Sequence, residues 1–416
     1  MAEVIGLAPG SLAGLEHLER DLAFPPEEYK ERLRRLRGLM AEAKIDLLWI
    51  TTPEAVAWLH GLACSWYKGN SPMRYPQLYG TAVHVDSDDF IFFDAPFEAP
   101  VLAKNSVSTD NRFFTSREAD ENLAFIKREL ATKGWLKGRV GLEFWSYLPN
   151  PAISRMFEAL FTDAGCTVVD GSATVRRARR VKSPREIAVL ERAALIAEAG
   201  HKRIKEYMRE GITELDLFGE CVNAMAKEGG ELSALIPVFN STPILNDRPV
   251  LTGHTMAGRR KIRANEVLKA DICGVFHRYH ANVERCYTIG DPPKGLVDRY
   301  TRAAGVFDVI RTEVKSGMTV AEVSKVLRRY YEGVGLWDQP GWGLGYELGL
   351  SLPPDWVGEF YFNVRDTKYL DRVFEPNMVT NFESNFDTGP IDTVVYTPMG
   401  TRVLSDVPLA LIVAGK

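Results

Sequence analysis

Two arms of sequence, 266-EVLKADICGVFHR-278 and 279-YHANVERCYTIG-290, alternate like a buried hairpin. Asp271, Asn282 and Glu284 stand where plain core residues would serve. Residues two apart on a strand point to the same face, so Asn282 and Glu284 share one. Two accounts of Glu284 stay open. An ion pair to Arg285 or Arg263 explains it without a function, and a site built on this hairpin explains it with one.

Upstream of the hairpin, the segment 184-PREIAVLERAALIAEAGHKRIKEYMREG-211 has helical spacing, with proline at its start and glycine at its end. It follows a basic connector, 174-TVRRARRVKSPREI-187, where the pattern changes, and this places a domain boundary at 176/177. Residues 1–176 alternate helices (25–45, 117–134, 152–165) with short strands (46–52, 80–85, 89–95, 139–144, 166–172), which predicts an α/β layer domain. Residues 177–416 contain a faint repeat: 210-EGITELDLFGE-220 and 316-SGMTVAEVSKV-326 each follow a helical segment. In both, a glycine closes one helix, and a threonine three residues before a carboxylate (Thr213 with Asp216, Thr319 with Glu322) opens the next with a capping box. Such pairing predicts duplicated halves around a central site.

The chain has 416 residues, 45% of them hydrophobic, and a formal charge of -4. Basic and acidic residues are interspersed, so nucleic acid is not an expected partner. The first residues lack the charged and apolar regions of a secretion signal, and no window is long enough to cross a bilayer. A cytoplasmic protein without membrane partners is expected. The five cysteines have no C-x-x-C spacing and read as reduced thiols, mostly in the core.

The order of features in the second half resembles the creatinase/aminopeptidase, or pita-bread, family. The matching pieces are 182-KSPREI-187, the strand pair around Asp271, 341-GWGLGYELG-349, 374-FEPNMVTNFES-384 and 391-IDTVVYTPMGTRVLS-405. The resemblance spans about residues 180 to 412 and implies an α+β pita-bread domain behind the α/β N-terminal domain. The peptidases of the family hold two metal ions with two Asp, one His and two Glu. On this chain those places fall on Asp271, Asn282, Trp342, Glu383 and Ile391, so two of five ligands are kept. The seven histidines all lie at or before position 280, so no shift of register restores a histidine to the glycine-rich segment. A catalytic divalent ion needs at least three protein ligands, and no metal or other cofactor is expected.

What is kept resembles the metal-free branch of the family, creatinase above all. His254 in 251-LTGHTMAG-258 lies seventeen residues before Asp271, and with Glu284 and Glu383 it fills that branch's catalytic places. Glu383, among the apolar residues around 378-MVTNF-382, is a carboxylate that costs several kcal/mol to bury unless paired. Asp271 reads as a leftover ligand, an orienting group or a nucleophile. The stretch 348-LGLSLPPDWVGEF-360 is closer to ectoine-hydrolase relatives, which share its Pro-Pro-Asp-Trp run. Asn282 and Trp342 are candidate substrate-binding residues. So are Trp66, Tyr67, Lys68 and Arg74 in 64-CSWYKGNSPMRYPQLYG-80, because in creatinase-like homodimers a loop of this domain caps the partner's site.

Carboxylates gathered in a site without metal repel one another and invite a cation, and a neutral histidine nearby can move protons near neutral pH. The expected activity is hydrolysis of a carbon-nitrogen bond in a small cationic or zwitterionic compound. A lyase acting on an onium compound, an Xaa-Pro metallopeptidase and a non-catalytic metabolite-binding protein are the alternatives.

Overall fold

In the computed structural model, residues 12, 14–65, 67 and 78–415 are described. The chain forms two compact units, Met1–Arg179 and Arg180–Lys416. The division falls near the end of a helix, Ser172–Arg180, which occupies much of the stretch read as a connector.

The first unit is built on a six-stranded mixed sheet. Its strands are β1 (Leu47–Ile50), β2 (Gly80–His84), β3 (Phe90–Asp94), β4 (Asp110–Phe113), β5 (Arg139–Leu142) and β6 (Thr167–Asp170), in the order β4-β3-β2-β1-β5-β6. Trp49 of β1 anchors the core between Phe93 and the i, i+4 pair Phe157 and Phe161 of the Pro151–Thr162 helix, with centroid separations of 5.0–6.1 Å. All five strands expected from periodicity are present. The α/β class is confirmed.

The second unit carries a ten-stranded sheet. In chain order its strands are β7 (Val238–Leu245), β8 (Arg248–Pro249), β9 (Glu266–Phe276), β10 (Tyr279–Ile289), β11 (Trp342–Tyr346), β12 (Tyr361–Asn363), β13 (Val379–Asn385), β14 (Ile391–Thr397), β15 (Gly400–Val403) and β16 (Ile412–Ala414). The main path runs β12-β11-β13-β14-β10-β9-β7-β8, with β15 on β14 and β16 on β10. The long helix begins at Pro184 behind a Ser183–Glu186 capping box and ends at Tyr207, four residues short of Gly211. It lies on β9 and β10, where Ile196 and Ile204 pack with Leu268, Ala270 and Ile272. Gly274 makes the approach possible, because a Cβ there would stand 1.9 Å from the carbonyl oxygen of Ala193.

The two halves of this unit repeat one another bond for bond. Gly211 N donates to Ile262 O at 2.9 Å, and Gly317 N to Phe374 O at 2.7 Å. Glu214 N donates to Arg260 O at 3.0 Å, and Val320 N to Arg372 O at 2.8 Å. Both threonine capping boxes are formed, opening helices Glu214–Lys227 and Val320–Gly333 of 14 residues each. β9 follows the first repeat and β13 the second, so Asp271 and Glu383 sit on corresponding strands.

Candidate active site

Alternation sends Leu268, Ala270 and Ile272 toward the helices and leaves Lys269, Asp271 and Cys273 on the opposite face. On β10, Ala281 and Val283 likewise pack toward the long helix, leaving Asn282, Glu284 and Cys286 beside their β9 neighbours. The register pairs Asp271 with Glu284, Cys273 with Asn282 and Lys269 with Cys286. The row continues on both sides: Val238 pairs with Asp271, Glu284 with Ile391, Ile391 with Glu383, and Glu383 with Leu344. With Leu344 paired in turn to Asn363 of β12, one rung crosses seven strands and carries three carboxyl groups on a single face.

Each carboxyl is held differently. Asp271 accepts from Asn282 Nδ2 at 2.6 Å. Glu383 accepts from Trp342 Nε1 and from Asn381 Nδ2, both at 3.0 Å. Glu284 is fully buried, and Lys269 Nζ lies 3.0 Å from its Oε2. That contact is off the direction of a hydrogen bond, so both Glu284 oxygens lack a directed donor, and so does the buried Oδ1 of Asn282. Burial pushes Glu284 up to about 8, against the pull of Lys269 and with the repulsion of Asp271 and Glu383. Asp271 is raised by burial, and Glu383 by burial and then by Asp271. Lys269 is raised, because the neighbouring Glu284 and Asp271 outweigh its desolvation.

The Glu284 carboxyl does not use either arginine suggested by the sequence; of Glu284, Arg285 reaches only the backbone carbonyl, to which it donates at 2.8 Å. Arg285 alternates to the other face, where it meets Asp392 at 2.6 Å and the carbonyls of Ile391 and Val407. Arg263 contributes its backbone N–H to Glu266. The partner is Lys269, two residues before Asp271 and on its face.

His254 is exposed, in a loop pinned to β7 on both sides of it. Thr252 Oγ1 donates to Asn240 Oδ1 at 2.5 Å, while Asn240 Nδ2 and Phe239 N donate to Thr255 O at 3.0 Å. Asn240 pairs with Lys269 and Val238 with Asp271, so this loop borders the β7 end of the carboxyl row. His254 is near enough to Asp271 that a positive charge on the imidazole favours the Asp271 anion. By contrast His201 and His280 are buried, engaged with Tyr287 and Ala234, and held neutral, each lowered to about 3 by burial.

Trp356, from the Pro-Pro-Asp-Trp run, donates to the Tyr346 hydroxyl at 3.2 Å. Burial, followed by the charges of Glu383 and Asp271, keeps that phenol protonated, so Tyr346 belongs to the cluster as well. Lys269, Asn240, Asn381 and Tyr346 went unread in the sequence. The signal for three of them was spacing, at i-2 from Asp271, i-2 from Glu383 and i+4 from Trp342. Of the N-terminal candidates, Tyr67 is buried. Trp66, Lys68 and Arg74 lie outside the described residues.

The model of metallopeptidase family M24 matches residues 188–401, and that of the creatinase/prolidase N-terminal domain matches residues 32–181. The chain belongs to metallopeptidase family M24. Among its relatives in that family are the ectoine hydrolase of Halomonas elongata, 24% identical over 95% of this chain and all of its own, and the creatinase of a Bacillus strain, 24% identical over 86% and 84%. The solved Xaa-Pro dipeptidase of Bacillus anthracis shares the fold, with a TM-score of 0.72 at 19% identity, covering 92% of this chain and 99% of that one. The pita-bread architecture is thus shown.

The family name implies a metal centre, and the side chains of this M24 member do not fit one. Asp271 Oδ1 is occupied by the Asn282 amide. An indole N–H can only donate, and Trp342 directs it at Glu383. Ile391 offers no donor atom, and the Lys269 ammonium stands among the carboxyls. Among the described residues, no group of three or more His, Cys, Asp or Glu is placed to hold a metal ion.

Proposed function

We propose that this chain is a hydrolase that cleaves a carbon-nitrogen bond in a small cationic or zwitterionic metabolite without a metal ion. The observation that carries the reading is the charge pattern of one strand row: three carboxyls, Asp271, Glu284 and Glu383, against one built-in ammonium, Lys269. Fully ionised, the row holds uncompensated negative charge; burial pushes all three acids up, and for Glu284 and Glu383 the neighbouring carboxylates add to it. An amidinium, guanidinium or ammonium on the substrate relieves that excess. Full-length similarity to an ectoine hydrolase, and similarity to a creatinase, supports the same class of reaction.

In the proposed reaction, water attacks the carbon bonded to the departing nitrogen. A carbon-oxygen bond forms and the carbon-nitrogen bond breaks. Neutral His254 takes the proton from water, and Glu284, which keeps its own proton up to about 8, delivers one to the leaving nitrogen. The proton on His254 then returns to Glu284. Asp271, fixed by Asn282, and Glu383, fixed by Trp342 and Asn381, hold the substrate's cationic end. Asn240 secures the loop that carries His254.

Turnover of amidines and guanidines, tested first with ectoine and creatine, is expected to survive chelation. It is expected to fall about 100-fold or more in His254→Ala and in Glu383→Gln. Activity lost to a chelator and restored by manganese or zinc would return the chain to the peptidase chemistry of its family. Reaction in heavy-oxygen water should place one labelled oxygen in the product, whereas an unlabelled product means elimination.

The proposal extends to a homodimer in the cytoplasm. Among the described residues, no helix is long and apolar enough to cross a membrane.

A further inference from the structure

We infer that Lys269 is the receptor for a carboxylate on the substrate, so that the substrate is a zwitterion with an anionic group beside its cationic carbon-nitrogen centre. The inference rests on the hydrolytic reading above and narrows its substrate class.

Glu284 is 0% exposed, whereas the Lys269 side chain is 26% exposed, so Lys269 is the open member of the pair. An ammonium has three N–H bonds, and Glu284 is its one partner among the described residues, met from the side rather than in line. Its neighbours in the sheet are bonded to other residues. Asn240 has its oxygen taken by Thr252 and its amide by Thr255. On the other side, Cys286 accepts from Thr388 Oγ1 at 2.9 Å. Donor capacity therefore points out over the face that carries the carboxyl row.

The resulting pattern has polarity. Positive charge sits at Lys269, and negative charge sits two residues along β9 at Asp271 and across the row at Glu383. Two residues of strand span about 7 Å, which suits the two ends of a small zwitterion. A plain counter-ion for Glu284 would not need to be reachable, and this one is.

Titration calorimetry with guanidinoacetate and with methylguanidine, which lacks the carboxylate, separates the two roles. Wild-type protein should bind guanidinoacetate about 10- to 100-fold more tightly, the size of a charge-assisted hydrogen bond. Lys269→Gln should abolish that preference by weakening guanidinoacetate alone, and Lys269→Arg should keep it. If Lys269 only neutralises Glu284, Lys269→Gln shifts both ligands equally, and the inference fails. It also fails if the wild type shows no preference or binds neither probe. Failure of the hydrolytic reading is seen separately, as an absence of turnover by the wild type.

Discussion

Glu284 binds a proton over a pH range in which an unfolded glutamate has released it. Its folded value is about 8, against about 4.3 for a free side chain. Stability from this group is complete below the unfolded value and is lost as pH rises through the folded one. The thermal midpoint of the wild type should therefore carry a component that falls between pH 5 and 8.5. The paired variant Lys269→Met with Glu284→Gln should remove it, because both partners leave together and no ionisable group is left stranded in the buried site. Equal pH slopes in the two proteins would show that Glu284 titrates normally. Asn240→Ala should cut kcat at least about tenfold through misplacement of the His254 loop, with little change in melting temperature. An unchanged kcat would show that the anchor is dispensable. Asp271, Asn282, Glu284 and Glu383 were legible because polar residues interrupt apolar alternation. Lys269 was not, since a lysine in a strand reads as a solvent-facing residue until its cross-strand partner is known. Asn240 was hidden further, because its strand was not recognised.

At the scale of elements, local signals with a mechanism carried over intact. The capping boxes at Thr213 and Thr319 are both formed, each with the side chain and backbone bonds that the threonine-to-acid spacing predicts. Thr213→Ala and Thr319→Ala should each cost about 1 kcal/mol, read as a shift of the urea midpoint at constant slope. Gly274→Ala should cost more, about 1–3 kcal/mol, because its new methyl meets a helix backbone that cannot move aside. What escaped the sequence lacked periodicity. Helix Pro53–His60 is buried nearly all round, so it has no polar face to betray it. Strand β4 is short and charged, with Asp110 and Arg112 bridged to each other at the sheet edge. The long helix stops before its glycine because Met208 is already extended, at ψ 125°.

Over the whole molecule, the family resemblance was readable from five ordered segments, while the closure of the site was not. β10 and β14 meet at one register pair, Glu284 with Ile391. There the Thr393 hydroxyl both accepts from Asn282 N and donates to Asn282 O, across 111 positions of chain. Contacts of that sequence separation are slow to form, since loop-closure entropy must be overcome first. The repulsion between Glu383 and the hairpin carboxyls Asp271 and Glu284 is therefore absent from a chain whose halves have not yet met, and it arises only at the final joining. On dilution from denaturant, the far-ultraviolet helical signal should recover before ligand binding does, and a bound cation should speed the second phase. The substrate would then act twice, as the molecule transformed and as the counter-charge that helps the two halves close.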